Sequence, residues 1–286
     1  MATLTALTLY PIKSCAGIAL QEATLTAAGL MHAQIHDREW MVVDAQGEFL
    51  SQRSHPLMAL ITPRLDVSAG TLILHAPDLS PLALPLARPT AESAAPTLQV
   101  RVWDDLVSAD DCGDAAAQWF SRALGSACRL VRFSAQASRI TNTHWTAHQD
   151  IPALFSDGYP FLLISEASLA DLNQRLATQG REPLPMNRFR PNLVIDGVDA
   201  FEEDYIDTLG IGGALLQPVK PCARCTIPSV DQASGLIGPD PLDILSAYRA
   251  HPRLAGGIAF GMNVILLQGE GQVVKLGQEI EIALAF

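Results

Sequence analysis

Short runs of alternating apolar and polar residues, separated by turns, dominate the first third of the chain. Two of these runs carry a turn signal between apolar stretches, at 44–47 and 68–70, and each predicts a β-hairpin. The proline-rich tract 81–96 interrupts the pattern and is predicted to be a surface loop. Apolar residues then follow helical spacing over 113–124, and extended structure resumes at 128–133.

The second half of the chain opens with a predicted buried strand at 160–165 and an amphipathic helix at 166–179. Ser165 is the expected N-cap of this helix, and Gly180 is expected to end it. Further strands are predicted at 189–196, 214–220, 257–267, 272–276 and 278–284, with one more helix at 241–249. The pattern therefore predicts a mostly β protein of the α+β class, built from two β-barrel-like domains at 1–125 and 126–286. The second barrel carries the few helices.

Composition narrows the class of protein. A net charge of −11 argues against a general nucleic-acid surface, because phosphate backbones are bound through clustered Lys and Arg. We find no apolar run long enough for a membrane span and no targeting segment at the N-terminus, so we expect a cytoplasmic protein without membrane or nucleic-acid partners. The five cysteines are odd in number and irregularly spaced, which favours free thiols over a disulfide framework.

The densest chemical motif is Pro-Cys-Ala-Arg-Cys at 221–225, at the end of a predicted strand. Arg224 and Lys220 are cationic neighbours that favour a thiolate, so Cys225 is a candidate nucleophile or soft metal ligand. A structural zinc site would need two further ligands, and no second CxxC or His pair stands at ligand spacing. A thioredoxin-type dithiol would need a βαβ setting. Two ordinary buried cysteines are the fourth interpretation.

A second motif, RFRPN at 188–192, places two arginines just before an apolar stretch. Strand alternation would put Arg188, Arg190 and Asn192 on one face, where the guanidinium groups could grip an anion such as phosphate. An ordinary solvated strand edge is the alternative interpretation.

Five motifs in a fixed order carry a resemblance to a known family. They are YPIKSC at 10–15, HDREW at 36–40, SEASLADLNQRL at 165–176, RFRPN at 188–192, and PCARC at 221–225 with VD..SG after it. From about residue 3 to the C-terminus, the chain resembles the MOSC proteins that carry an N-terminal MOSC β-barrel domain. Among these it is most similar in pattern to the amidoxime-reducing components and the bacterial reductases of N-hydroxylated bases.

The resemblance implies a site for the molybdenum cofactor, in which molybdenum is held by molybdopterin and by one protein thiolate. Cys225 matches the metal ligand, as a soft sulfur donor suits this metal. Asp157 matches a carboxylate near the metal and is the candidate for proton delivery. The expected cofactor-binding residues are Lys13, Ser14, Arg38, Tyr159, Arg190, Asn192, Arg224 and Asn263.

The function implied is reduction of N-hydroxylated compounds: hydroxylamines, amidoximes and N-hydroxylated bases. Because the chain ends at the last predicted strand, without the ferredoxin-like domain of some relatives, we expect electrons from an external flavin or iron-sulfur protein. Two departures bear on substrate fit: Met262 stands where Gln is common, and the loop before RFRPN is longer than in eukaryotic relatives. The alternative is a non-catalytic cofactor or sulfur carrier, whose usual pyridoxal-phosphate-dependent partner domain is not found in this sequence.

Overall fold

The protein is known from a computed structural model, which describes residues 1–88 and 96–285. The strands of these residues are β1 (Ala2–Leu9), β2 (Ile18–Leu20), β3 (Glu22–Thr26), β4 (Gly29–His32), β5 (Ile35–His36), β6 (Trp40–Val43), β7 (Thr62–Asp66), β8 (Thr71–His75), β9 (Leu82–Pro85), β10 (Thr97–Val102), β11 (Asp105–Asp111), β12 (Arg129–Phe133), β13 (Phe161–Ser165), β14 (Leu193–Asp196), β15 (Ile206–Ile211), β16 (Ala214–Ala223), β17 (Ala259–Gln268), β18 (Val273–Lys275) and β19 (Glu279–Leu284). The α-helices are α1 (Asp114–Leu124), α2 (Glu166–Thr178) and α3 (Leu242–Leu245). Short 3₁₀ turns lie at Pro56–Leu60, Thr143–Trp145, Met186–Arg188, Glu202–Tyr205, Ile227–Ser229 and Pro252–Leu254.

A closed barrel of seven strands lies within the largest sheet of the described residues. Its strand order is β14-β13-β17-β16-β15-β19-β1, and β1 pairs back with β14 to complete the ring. Only the β13–β14 pair is parallel among these ladders. Closure leaves no free edge, so the interior can be filled by alternate side chains from every strand. Leu4, Leu163, Leu193 and Leu216 are among the buried residues that fill it.

The remaining strands form three smaller sheets. They are β10-β11-β12-β6, β18-β3-β4-β5 and β7-β8-β9, and a half-barrel accompanies the closed barrel. The mostly β class with few helices is therefore confirmed. The ladders also join distant parts of the sequence, because β1 lies in the barrel of the second half and β18 pairs with β3. The division of the chain at residue 125 stays a prediction.

Local sequence signals account for several elements. The Ser165 hydroxyl accepts a hydrogen bond from the Ser168 backbone N–H, which confirms the predicted N-cap of α2. Gly180 follows this helix with a φ of 69°, a left-handed conformation that glycine adopts without steric cost. Both predicted turns also connect paired segments: β7 and β8 form a hairpin, whereas after β6 only a bridge between Val43 and Phe49 forms.

Three expectations are corrected. The tract 81–96 contains the strand β9, which pairs with β8 at a sheet edge where the missing N–H of Pro85 removes no ladder bond; its residues 89–95 lie outside the described part. The predicted strand 189–196 begins only at Leu193, because Arg190 has a φ of 56° and Pro191 has no N–H to donate. The predicted helix 241–249 is reduced to α3 and turns.

Candidate functional site

One large cavity, of about 640 Å³, contains every residue that the sequence singled out as a site candidate. These are Lys13, Ser14, Arg38, Asp157, Tyr159, Arg190, Asn192, Arg224, Cys225 and Asn263. Residues from both halves of the chain line it, from the segment after β1 to strand β17. The roles assigned to these residues stay predictions, but their assembly around one cavity is a structural fact.

The charge of this cavity opposes that of the whole protein. Eight Lys and Arg side chains line it, against three Asp, in a chain of net charge −11. A concave, cation-rich surface of this kind attracts and concentrates anions.

An arginine cluster, which we define as Tyr10, Arg38 and Arg190, lies at the buried end of the cavity. The guanidinium carbons of Arg38 and Arg190 stand 4.5 and 4.3 Å from the centre of the Tyr10 ring, as cation–π contacts. The Arg38 guanidinium also pairs with Asp37 and donates a hydrogen bond to the Asn192 side-chain oxygen at 2.9 Å. Burial lowers the pKa of Arg190, because its charge is poorly solvated there. A nearby anion would therefore stabilise the charged form of the Arg190 guanidinium.

Asn192 holds the cluster against the barrel. Its side-chain oxygen also accepts the backbone N–H of Leu162, and its amide nitrogen donates to the Thr8 carbonyl at 3.1 Å. The residue is 1% exposed. The Asn192 side chain therefore links the RFRPN turn to β1 and β13 through hydrogen bonds.

Backbone strain concentrates at the same place. Ser14, Arg38 and Arg190 have φ angles of 66°, 49° and 56°, in the left-handed region that non-glycine residues rarely occupy. Each such residue costs roughly 1–3 kcal/mol unless its surroundings hold it, and such residues cluster at binding sites. The expected strand alternation of the RFRPN segment is wrong, because a 3₁₀ turn followed by the left-handed Arg190 brings the arginines to the cavity instead.

Lys13 and Asp157 form an ion pair across the two halves of the chain. The Lys13 ammonium donates to Asp157 Oδ1 at 2.5 Å and to the Phe155 carbonyl at 2.9 Å. Burial lowers the pKa of Lys13 to about 8, although Asp157 opposes the change. The positive charges of Lys13, Arg38 and Arg53 hold the pKa of the Asp157 carboxyl well below its usual range. Asp157 is thus ionised at neutral pH, and Lys13 is the member of the pair that titrates near it.

The cysteine loop, which we define as residues 221–225, comprises the last three residues of β16 and the two residues after it, and residues 222–225 line the cavity. Arg224 anchors it, donating from Nε to the Phe260 carbonyl at 2.8 Å and from Nη1 to the Phe189 carbonyl at 2.9 Å. Cys222 and Cys225 are both partly exposed and free. Burial raises the pKa of Cys222, which keeps it a neutral thiol. Zinc sites of the structural kind need four ligands, and among the described residues no three His, Cys, Asp or Glu side chains are placed so that they could hold a metal ion.

Three polar residues form the wall beside the cysteine loop. Asn263 of β17 lies opposite Lys220 of β16 and donates its side-chain N–H to the Lys220 carbonyl at 3.2 Å. The Tyr159 hydroxyl donates to the Asn142 carbonyl at 3.0 Å, and burial raises its pKa to about 12. Tyr159 and Asn263 thus shape the wall with side chains already bonded to the protein.

Sequence reasoning missed several lining residues. Trp103, in the two-residue turn between β10 and β11, donates from its indole nitrogen to Asp157 Oδ1 at 3.2 Å. Arg53 stacks on the Trp103 ring at 4.7 Å. Arg139 binds Asp105 and the Ser156 carbonyl. These residues lie outside the sequence motifs described above. Only Trp103, an exposed tryptophan at a hairpin turn, has a local sequence feature that could have indicated a site.

Comparison with known proteins gives these residues a family context. The family description "MOSC N-terminal beta barrel domain" matches residues 1–127, and "MOSC domain" matches residues 150–281. Human "mitochondrial amidoxime reducing component 2" is 36% identical over 251 residues, which are 86% of this chain and 72% of that protein. The chain belongs to the MOSC family. The resemblance carried by the five ordered motifs is confirmed.

This MOSC chain is similar to further relatives of two kinds. Human "mitochondrial amidoxime-reducing component 1" is 38% identical over 252 residues, covering 86% of this chain and 72% of that protein. Bovine "molybdenum cofactor sulfurase" is 33% identical over 258 residues, covering 86% of this chain but 29% of that protein. Within residues 1–88 and 96–285, no helix has the length and apolarity needed to cross a membrane.

Proposed function

We propose that this chain is a molybdenum-cofactor-dependent reductase of N-hydroxylated compounds, supplied with electrons by an external flavin or iron-sulfur protein. The observation that carries the proposal is a single cavity that combines a free thiol, Cys225, with a buried arginine cluster. The names of the human amidoxime reducing components support the substrate class. The cytoplasm is the proposed location.

The residues present fit the cofactor. Among the described side chains, Arg188 Nε, Arg190 Nη2 and Arg224 Nη2 are buried nitrogens without a hydrogen-bond partner, and all three arginines line the cavity. Buried donors left unsatisfied are costly, so an anion that accepts these N–H groups would be bound strongly. Arg38, Arg190 and Ser14 would hold the pterin phosphate, and Cys225 would bind the metal.

The remaining predicted ligands would act at the walls of the cofactor. Lys13 and Arg224 supply further positive charge, while Tyr159, Asn192 and Asn263 fix the shape of the cavity through the hydrogen bonds described above. When bound, the cofactor supplies two-electron redox chemistry at a metal centre.

The chain's own residues supply the protons. Reduction of an amidoxime to an amidine consumes two electrons and two protons, breaks the N–O bond and releases water. The Lys13 ammonium, with a pKa of about 8, matches the pH at which a proton donor works best. Asp157 accepts the Lys13 hydrogen bond and faces the open side of the cavity with 69% of its side chain exposed. We assign the pair to proton transfer, with Lys13 as the donor and Asp157 as its link to solvent.

Metal and pterin analysis of the purified protein tests the cofactor, and a viologen assay tests turnover. We expect molybdenum and pterin in equal amounts, and reduction of benzamidoxime to benzamidine with reduced viologen but not with NADH or NADPH alone. Bound molybdenum that no N-hydroxylated compound reoxidises would refute the reductase proposal. Turnover with NADH alone would refute the external donor.

The similarity to bovine molybdenum cofactor sulfurase favours a second candidate, a cofactor or sulfur carrier without turnover. This module would use Cys225 to hold a persulfide or to present the cofactor. A cyanolysable sulfur on Cys225, together with cofactor transfer to an apo-enzyme and no reductase activity, would support it.

A further inference from the structure

Lys220 occupies an unusual position in the cavity. Its ammonium group lies 5.4 Å from the centre of the Trp145 ring and 6.0 Å from that of Tyr159. The residue lines the cavity on the same strand, β16, that leads into the cysteine loop. In the part of the chain that the structure describes, no carboxylate lies within ion-pair distance of it. The contacts that Lys220 makes are therefore with aromatic faces, which attract a cation but do not neutralise it.

Trp145 belongs to a segment that lies outside both family matches. Residues 128–149 separate the matched ranges, and Arg139, Ile140, Thr141 and Asn142 of this segment line the cavity. A second cation, Arg253, lies 4.6 Å from the Trp145 ring centre and donates to the Val219 carbonyl. The segment 128–149 thus contributes to one wall of the cavity, and its Trp145 ring contacts two cations, Lys220 and Arg253, that lie within the second family match.

The ion pairs of the cavity indicate which positive charges would still lack an anionic partner once the cofactor is bound. Four of the lining cations have a carboxylate partner: Lys13, Arg38, Arg139 and Arg188. Of the others, Arg190 and Arg224 have buried free nitrogens that suit the cofactor, whose phosphate carries about two negative charges. Arg53 stacks on Trp103 and lies near enough to Asp157 to lower its pKa. Lys220 is left beside the cysteine loop without an anion.

We propose that Lys220 binds an anionic group of the substrate, so that the enzyme prefers N-hydroxylated compounds that carry a carboxylate or phosphate. This inference rests on the proposed function and names its substrate class. Trp145 is a positioning residue, because its ring holds the Lys220 ammonium at the wall. The anionic group of the substrate supplies the negative charge that the protein does not place beside the Lys220 ammonium.

Steady-state kinetics with matched substrates test the proposal. Benzamidoxime is compared with 3- and 4-carboxybenzamidoxime, which place the carboxylate at two distances from the N–O bond. We expect kcat/KM to be about 10-fold higher for at least one carboxylate, the worth of one charge-assisted contact. The preference should disappear in Lys220→Gln and persist in Lys220→Arg. Lys275→Gln is the control. Lys275, on β18, pairs with Glu22, its side chain is 66% exposed, and it does not line the cavity.

Equilibrium binding separates the inference from the proposed function. Calorimetric titration with the products 4-amidinobenzoate and benzamidine needs no turnover, and the carboxylate should again bind about 10-fold more tightly in the wild type than in Lys220→Gln. Trp145→Ala should weaken the carboxylate preference while pterin content stays constant. Equal affinity for both products would overturn the inference even if benzamidoxime is reduced. Loss of pterin in Lys220→Gln would overturn it as well, because Lys220 would then belong to the cofactor.

Discussion

The arginine cluster and the cysteine loop line the same cavity but are built in opposite ways. Tyr10 and Arg190 are buried and the Arg38 side chain is 14% exposed; both arginines pack on the Tyr10 ring and have left-handed φ angles. The two cysteines are partly exposed, and the Arg224 side chain between them is bonded to the carbonyls of Phe260 and Phe189. One region is fixed before any ligand arrives, whereas the other leaves its sulfur atoms free to react.

This difference separates binding from chemistry. A phosphate-binding group gains affinity when its donors are already oriented, because less side-chain entropy is lost on binding. A metal-binding sulfur needs an open approach and a few cationic neighbours. We therefore expect substitutions in the cluster to change cofactor occupancy, and substitutions in the loop to change activity at constant occupancy.

The largest effect is expected at Cys225. Cys225→Ser should abolish viologen-driven reduction and change the absorption spectrum of the metal, while most of the pterin stays bound. Cys222→Ser is the matched control in the same loop, and it should keep most of both signals because burial holds Cys222 as a neutral thiol. Equal loss in the two variants would favour a site that uses both cysteines.

Arg190→Ala should weaken cofactor binding roughly 10- to 150-fold, the range for one charge-assisted contact of about 1.5–3 kcal/mol. Pterin content after gel filtration measures this loss, and circular dichroism checks that the fold is kept. Arg64→Ala, at an exposed arginine of β7 outside the cavity, should leave pterin content unchanged. Full occupancy in Arg190→Ala would remove the phosphate role from the cluster.

The Lys13–Asp157 pair predicts a pH dependence of turnover. A proton donor with a pKa of about 8 is active below that pH, so kcat/KM should fall about tenfold per unit as the pH rises beyond it. Asp157 stabilises the charged form of Lys13, and Asp157→Asn should therefore move the falling limb to lower pH. A profile that is flat from pH 7 to 10 would exclude Lys13 as the donor.

The smallest effect concerns strain in the arginine cluster. Arg190→Gly and Arg190→Ala both remove the guanidinium and should lose the same amount of cofactor. Glycine, however, adopts a φ of 56° without the steric cost that alanine bears, so the glycine variant should unfold with a free energy about 1 kcal/mol higher. Urea denaturation of the apo-proteins measures the difference. A more stable alanine variant would show that the turn relaxes.

The sequence predicted which residues lie together at the cavity better than it predicted the backbone geometry that brings them there. Scarce lysines beside cysteines and arginines beside Pro-Asn are visible in a single chain, and ordered motifs such as YPIKSC and PCARC marked the cavity residues. The left-handed φ of Arg190 could not be predicted, because an apolar run after the motif favours a strand and no neighbouring residue indicates a turn.

Other features depend on long-range pairing. The strand β9 forms because β8 offers it a partner, which overrides the unfavourable prolines of its own sequence. The contact of Trp103 with Asp157 joins residues 54 positions apart, and no local pattern predicts it. The position of Lys220 near a carbonyl-bound Tyr159 likewise follows from the pairing of β16 with β17.

The closure of the barrel by β1 has a consequence for how the protein is made. This strand, at residues 2–9, pairs with β14 and with β19, whose residues 279–284 are translated some 270 codons later. At about 5–20 residues per second, the first strand waits roughly 15–55 s for its last neighbour. During that time β1 can pair with β2 and β14, which are made earlier, but its pairing with β19 is not yet possible and the barrel stays open. The barrel can therefore close only after β19 has been synthesised, which makes closure a late step in folding.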